Sequence, residues 1–196
     1  MNYFLGHYYI SDVGKPIELK VKAPIEWIPL EEKNGKTLLL SKDVLDWEMY
    51  DEDGKLWLES FLFHYLNKLY DSIFSEEEKA VIAECEYGRI FPLSVDEIKR
   101  YFPKEEDRRA IEYFVMKQGE EIKVSIEYSW YWCRYDTEFD ECVPYVTALG
   151  VFDEMYAEAD EIGVRVAMWV NTKKARELSG KNGYNRYHHL WSAKQF

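Results

Sequence analysis

The sequence lacks the long apolar segment, the excess of basic residues and the targeting signal that would each define a class of protein. No apolar run approaches the roughly 20 residues that cross a bilayer, and the first residues contain no basic region or cleavage site of a signal peptide. The net charge of −12 disfavours general nucleic-acid binding, because phosphate repels an acidic surface. We therefore expect a cytoplasmic bacterial protein with neither membrane nor nucleic-acid partners.

Several signatures of chemistry are also missing. Three cysteines, Cys85, Cys133 and Cys142, are too few for a disulfide framework, and none has the spacing of a zinc site. The sequence contains no nucleophile elbow, no glycine-rich phosphate loop and no dinucleotide fingerprint. These absences disfavour a hydrolase, a nucleotide-dependent enzyme and a structural zinc protein, and we expect no cofactor.

What the chain does contain is apolar and aromatic material in one continuous stretch. Of its 196 residues 47% are hydrophobic and 17% aromatic, which is enough for one well-packed core. We predict a single domain over residues 1–170 and a basic, aromatic C-terminal tail over residues 171–196. Because exposed aromatic residues forgo favourable burial, we expect Trp191 and its neighbours to dock on the domain or on a second protomer, which makes a homo-oligomer possible.

Patterns in the first third predict strands and those in the middle third predict helices. Residues 3–10 form an apolar run, and residues 25–30 and 37–40 flank the turn pair Asn34-Gly35, which is typical of a hairpin. An apolar stripe from Leu58 to Tyr70 has helical spacing. Capping boxes predict helices from Ser75 to about Cys85 and from Ser94 to Pro103, and a further helix should run from Glu105 to Gly119.

The final third alternates as strands do. Residues 124–132 place Tyr128, Trp130 and Trp132 on one predicted core face, with Tyr131 on the opposite face. Further strands are predicted at 143–148, 151–156 and 164–170. On the last of these we predict that Arg165 is structural, with its guanidinium over an indole or paired with a carboxylate from the acidic loops.

A set of motifs in a fixed order resembles a bacterial family of uncharacterised domains. They are Pro24-Ile25-Glu26-Trp27, Leu38-Leu39-Leu40-Ser41, Phe74-Ser75-Glu76-Glu77-Glu78-Lys79, Leu93-Ser94-Val95-Asp96-Glu97 and Gly163-Val164-Arg165-Val166-Ala167-Met168-Trp169. The closing strands are more distantly similar to C-type-lectin-like folds, including formylglycine-generating enzymes. This resemblance implies one α+β domain of C-type-lectin-like architecture, with a mixed or antiparallel sheet built from the N- and C-terminal strands.

The candidate site lies in the acidic, tyrosine-bearing loops of residues 136–161. Nine carboxylates and no Lys or Arg occur between Arg134 and Arg165. Exposed tyrosines offer a rigid contact area at low entropic cost, which suits a binding module whose partner is a protein or a small polar ligand. The candidate ligand-binding residues are Tyr131, Arg134, Tyr135, Asp136, Phe139 and Tyr145.

Two alternatives remain open. Carboxylates in one short loop could bind calcium, and the candidate ligands are Asp136, Glu138, Asp140 and Glu141. The likeness to formylglycine-generating enzymes instead implies metal- or copper-assisted oxidation with a reactive pair of cysteines. A hairpin near Thr137 would bring Cys133 and Cys142 opposite one another for that purpose.

Overall fold

The structure is a computed structural model that describes residues 2–10, 21–52, 55–118, 121–136 and 141–181. For residues 9–10, 21–23, 113–118 and 121–126 it describes the backbone. The predicted docking of Trp191 and the candidate residues Phe139, Glu138 and Asp140 lie outside these residues.

The N- and C-terminal strands share one antiparallel sheet, as predicted. Its order is β1-β2-β3-β12-β5, where the strands are Tyr3–Ile10, Val21–Lys33, Lys36–Ser41, Ala167–Asn171 and Ile82–Ala83. The predicted hairpin joins β2 to β3, and Asn34 and Gly35 both have positive φ, as a tight turn requires. Leu39 of β3 lies opposite Met168 of β12, so strands from the first and the last third of the chain meet in the core.

A second sheet of five short strands is mixed. Its order is β10-β9-β8-β11-β4, where the strands are Phe152–Tyr156, Cys142–Val146, Tyr131–Trp132, Gly163–Val164 and Asp46–Trp47. The pairing of β8 with β11 is parallel. The predicted strand 164–170 is therefore divided at Arg165 and Val166, and its two halves belong to different sheets.

Two strands form a separate ribbon. Ala110–Gln118 (β6) pairs with Glu121–Ser129 (β7) in an antiparallel register that sets Ile111 opposite Tyr128. The predicted helix from Glu105 to Gly119 is wrong, because only Glu105–Arg108 is helical. The spacing of apolar residues fits a helix locally, but pairing with the following strand satisfies the backbone along the whole segment.

The helices occupy the middle third and the C-terminal end. They are a 3-10 helix at Trp57–Glu59, α1 at Phe61–Ile73, α2 at Glu76–Lys79, α3 at Val95–Tyr101, α4 at Glu105–Arg108 and α5 at residues 172–181. Both predicted capping boxes are present, at Ser75 and Ser94. The helix predicted to reach Cys85 ends at Lys79, because Ile82 and Ala83 join the first sheet beside β12.

Large aromatic residues fill the core between the sheets and α1. Trp27, Trp57 and Trp132 are fully or nearly fully buried, and each indole N–H donates to a backbone carbonyl at 2.8 to 2.9 Å. Buried polar groups need such partners, so each indole fixes one loop or strand against the core. The fold is α+β, and within the described residues no helix has the length and apolarity to span a bilayer.

Candidate functional site

An exposed aromatic surface lies where the ribbon meets the second sheet. We define it by Tyr128, Trp130 and Leu149, whose exposed fractions are 55%, 40% and 65%. Trp130 packs on Tyr145, with ring centroids 5.5 Å apart and planes inclined at 47°. An indole that packs against another ring and is still exposed to solvent is suited to contact a partner.

Close backbone packing fixes the position of Trp130. The carbonyl oxygen of Trp130 accepts a hydrogen bond from the N–H of Gly163 at 3.0 Å. A Cβ atom on Gly163 would lie 2.4 Å from that oxygen and 2.6 Å from Cγ1 of Val44. Glycine is therefore required at 163 for β11 to pass this close to the residue that carries the indole.

Leu149 is held by a tight turn packed against α4. The turn at residues 147–150 follows Val146, which pairs with Tyr131, so this turn lies beside Trp130. Gly150 has a φ of +83°, and a Cβ atom there would lie 1.8 Å from the carbonyl oxygen of Glu105. Both the positive φ and the contact require glycine, which leaves Leu149 projecting at the tip of the turn.

Arg109 connects Leu149 to Tyr128. Its guanidinium lies 5.3 Å from the centroid of the Tyr128 ring, and its Nε donates to the carbonyl oxygen of Leu149 at 3.4 Å. Tyr128 belongs to β7, and the register continues from it along the ribbon. In that register Tyr113 pairs with Ile126 and Val115 with Val124.

Two of the predicted ligand-binding tyrosines are buried rather than exposed. Tyr131 and Tyr145 are 3% and 4% exposed. Both residues of β8, Tyr131 and Trp132, are buried, so this strand has no exposed face. Tyr128 and Trp130, which alternation predicts in the core, are exposed instead. Burial, reinforced by the negative charge of Asp153, raises the pKa of Tyr145, so its phenol stays neutral beneath Trp130.

Arg134 is a buried structural residue. Its guanidinium lies 3.4 Å from the centroid of the Tyr87 ring and pairs with Glu97 and Asp136 at 3.1 and 3.0 Å. Its third kind of contact is a hydrogen bond to the carbonyl oxygen of Pro92 at 3.1 Å. Nε and Nη1 of Arg134 thus connect the segment after β8 to α3 and to Pro92. The two carboxylates are the more exposed members of this cluster, with side-chain exposures of 29% for Glu97 and 43% for Asp136.

Tyr135 is half-buried and its backbone is held by Tyr50. The Tyr50 hydroxyl donates to the carbonyl oxygen of Tyr135 at 3.2 Å and accepts from the Tyr135 N–H at 3.0 Å. Of the candidate calcium ligands, the structure describes Asp136 and Glu141, both exposed. Among the described residues no three His, Cys, Asp or Glu side chains are grouped to hold a metal ion. Calcium binding by the loop that also carries Glu138 and Asp140 stays a prediction.

The geometry does not favour a reactive cysteine pair. Cys133 and Cys142 are free thiols, and Cys133 is fully buried. Burial raises the pKa of Cys133, which disfavours the thiolate that metal binding and redox chemistry require. The cross-strand neighbour of Cys133 is Pro144, whose carbonyl accepts from the Cys133 N–H at 2.9 Å, so Cys142 lies two residues further along β9.

Arg165 is buried where the chain passes from one sheet to the other, and its contacts agree with a structural role. The guanidinium donates to the carbonyl oxygens of Ser41 and Arg108 at 3.0 and 3.1 Å, and to the Tyr131 hydroxyl at 3.2 Å. It also lies 5.1 Å from the centroid of the Tyr131 ring. The aromatic partner is a phenol rather than an indole, and carbonyls take the place of the expected carboxylate.

Together, the fold and this surface define an α+β protein with a rigidly mounted, exposed aromatic patch. The model of one family, described as a domain of unknown function (DUF6273), matches residues 34–172. Because this match covers more than half of the chain, the protein belongs to that family. Neither a curated protein nor a solved structure matches the chain.

Proposed function

We propose that this protein is a non-catalytic binding module that engages a protein partner through the aromatic surface of Tyr128, Trp130 and Leu149. The observation that carries the proposal is the exposure of Trp130 on a fixed support. Trp, Tyr and Arg contribute most of the binding energy at protein interfaces. The surface contains Trp130 and Tyr128, and Arg109 lies against the Tyr128 ring, so all three residue types are present. Preorganisation lowers the entropic cost of binding.

We propose that the acidic loops of residues 136–161 form the rim of this surface. Asp153 and Glu154 are exposed on β10, which is the edge strand of the second sheet. Asp153 lies opposite Tyr145 on the neighbouring strand, and Tyr145 carries the ring that supports Trp130. Opposite charges steer a partner and set its orientation, so the partner should present aromatic or aliphatic residues next to Lys or Arg.

A second exposed apolar group is a weaker candidate. Leu56, Leu58 and Phe61 are exposed where the 3-10 helix leads into α1, at 41%, 51% and 41%. Leucine is under-represented among energetically dominant interface residues. This group therefore serves as a matched control for the aromatic surface.

Two further parts of the proposal concern architecture and location. The pairing of β3 with β12, which joins strands from the first and the last third of the chain, supports a C-type-lectin-like architecture. A likeness of fold carries no ligand with it. We also propose a cytoplasmic location, which the three free thiols support.

Selection from a displayed peptide library tests the function. The purified full chain is immobilised, and the same library is passed over the Trp130→Ala variant. We expect the wild-type chain to enrich peptides that combine aromatic and basic residues, and the variant to lose that enrichment. Equal enrichment of the same peptides by both chains would place binding elsewhere and overturn the proposal.

A further inference from the structure

A groove of about 680 Å³ lies between the start of β1, the end of β2 and helix α5. Its lining is largely apolar and includes Tyr3, Phe4, Pro29, Leu30, Arg176 and Gly180. The aromatic surface contributes none of the residues that line it. The groove therefore belongs to a different part of the fold from the proposed binding surface.

Side chains of α5 hold the walls of this groove together. The hydroxyl of Ser179 accepts a hydrogen bond from the N–H of Phe4 at 2.8 Å. Arg176 donates to the Tyr3 hydroxyl at 3.1 Å and to Glu32 at 2.9 Å. Ala175 and Leu178 are buried, so α5 is packed on the first sheet along its length. These contacts within the folded domain therefore form the groove without an occupant.

The groove is built from the parts of the chain that flank the family match. Apart from Thr37, its lining residues lie outside residues 34–172. The strands β1 and β2 and the helix α5 converge there. An occupant of this groove would therefore contact residues on both sides of the matched range.

The fifteen residues that follow Lys181 start at this groove. Gly180 is part of its lining, and α5 is described as far as residue 181. The following segment, 182–196, contains Tyr184, Tyr187, Leu190, Trp191 and Phe196, and it has no Asp or Glu. In extended form it can reach about 50 Å, which is ample to fold back along the groove.

We propose that residues 182–196 dock in the groove of their own chain, with Trp191 and Leu190 against the apolar wall formed by Phe4, Pro29 and Leu30. Burial of these side chains is the driving force, because an exposed indole and leucine forgo favourable transfer from water. Glu31 and Glu32 also line the groove, but they are paired with Arg100 and Arg176, so attraction to the basic residues of the segment adds little to the docking. The short connection from Gly180 gives the segment a high effective concentration at the groove.

Limited digestion of the full chain with trypsin, read by mass spectrometry, tests this docking. We expect slow cleavage at Arg186 and Lys194 in the wild type, and cleavage at least tenfold faster in Leu30→Asp. Leu58→Asp, which changes an exposed leucine of the 3-10 helix outside both the groove and the aromatic surface, is the matched control and should leave the rate unchanged. Trp191→Ala should accelerate cleavage as Leu30→Asp does. Because Trp191→Ala leaves the groove itself intact, it still tests the docking if Leu30→Asp unfolds the protein.

Two results would overturn the proposal. Equal cleavage rates at Arg186 in the wild type and Trp191→Ala would show that the segment does not occupy the groove. Protection that is lost on dilution would show that the segment docks on a second copy instead of its own chain. Neither result depends on peptide binding at Trp130, so the outcome is separate from the test of the proposed function.

Discussion

Trp130 rests on Tyr145 at a centroid distance of 5.5 Å, so an exposed indole is supported by a phenol that is 4% exposed. Tyr145 packs in turn on Trp132, at 6.4 Å, and Trp132 packs on Tyr50, at 5.8 Å. One row of rings therefore connects the surface to the core. Substitutions along this row should divide into those that affect binding and those that affect folding.

Replacing the outer ring should change stability much less than replacing the inner one. Trp130→Ala should lower the free energy of unfolding by about 1 kcal/mol, as is common for partly exposed residues. Trp132→Ala should lower it by about 3 to 5 kcal/mol, because it leaves a cavity in the core. Urea unfolding of both variants measures the difference. Equal losses would show that Trp130 is a core residue and not a binding residue.

Gly163, which packs against the backbone of Trp130, should not tolerate a side chain. Gly163→Ala places a Cβ atom 2.4 Å from the Trp130 carbonyl oxygen, and relief of that clash should cost about 1 to 3 kcal/mol of stability. Gly180→Ala is the matched control, since its Cβ would meet no atom within 4 Å. That helical substitution should be neutral or stabilise by up to about 1 kcal/mol. A Gly163→Ala variant with the wild-type melting temperature would contradict the packing at this position.

Removing the buried guanidinium of Arg165 should destabilise the fold. In Arg165→Ala the carbonyl oxygens of Ser41 and Arg108 each lose a charged donor, although the Tyr131 hydroxyl still donates to the Arg108 carbonyl. We expect the loss of these buried hydrogen bonds to cost about 1 to 3 kcal/mol. Arg100→Ala is the control, because the Arg100 side chain is 67% exposed and its pair with Glu31 should contribute at most about 1 kcal/mol. Thermal unfolding compares them. Unchanged stability of Arg165→Ala together with lost peptide binding would make Arg165 a site residue.

The carboxyl group of Glu112 should make stability depend on pH. Burial raises its pKa above the usual 4.5, although hydrogen bonds from Ser129 and Trp47 act in the opposite direction. Because the native carboxyl group keeps its proton to a higher pH than the unfolded chain does, its contribution to stability falls as the pH rises from about 4.5 through the native pKa. Glu112→Gln removes this loss and keeps an acceptor for Trp47.

Urea titrations of the wild type and Glu112→Gln between about pH 4 and about pH 7 measure this effect. The stability of the variant relative to the wild type should increase with pH across that window. A difference that stays constant with pH would show that Glu112 titrates alike in the native and unfolded chains.

Local signals in the sequence predicted local structure well. The capping boxes at Ser75 and Ser94 and the turn at Asn34-Gly35 depend on residues that are three or fewer positions apart, and all three are present. The pairing of the N- and C-terminal strands was also expected, from a resemblance over much of the chain. Such features need no knowledge of distant partners.

The remaining errors have two physical causes. Residues 110–118 have apolar spacing that fits a helix, but the strand at 121–129 pairs with them, and strand formation depends on the partner more than on intrinsic preference. Alternation also predicted Tyr128 and Trp130 inside and Tyr131 outside, but it does not reveal that β8 is buried on both faces. The exposed aromatic residues are therefore Tyr128 and Trp130 rather than Tyr131 and Tyr145.

The measurement that tests the central claim most directly is calorimetric titration of the strongest library-selected peptide into four proteins. They are the wild type, Trp130→Ala, Leu149→Ser and the control Leu58→Ser. The aromatic surface predicts that Trp130→Ala and Leu149→Ser each weaken binding at least tenfold, which is about 1.4 kcal/mol, while Leu58→Ser binds as the wild type does. Binding that is lost in Leu58→Ser and kept in Trp130→Ala would contradict the account and assign the interaction to the exposed residues at the start of α1.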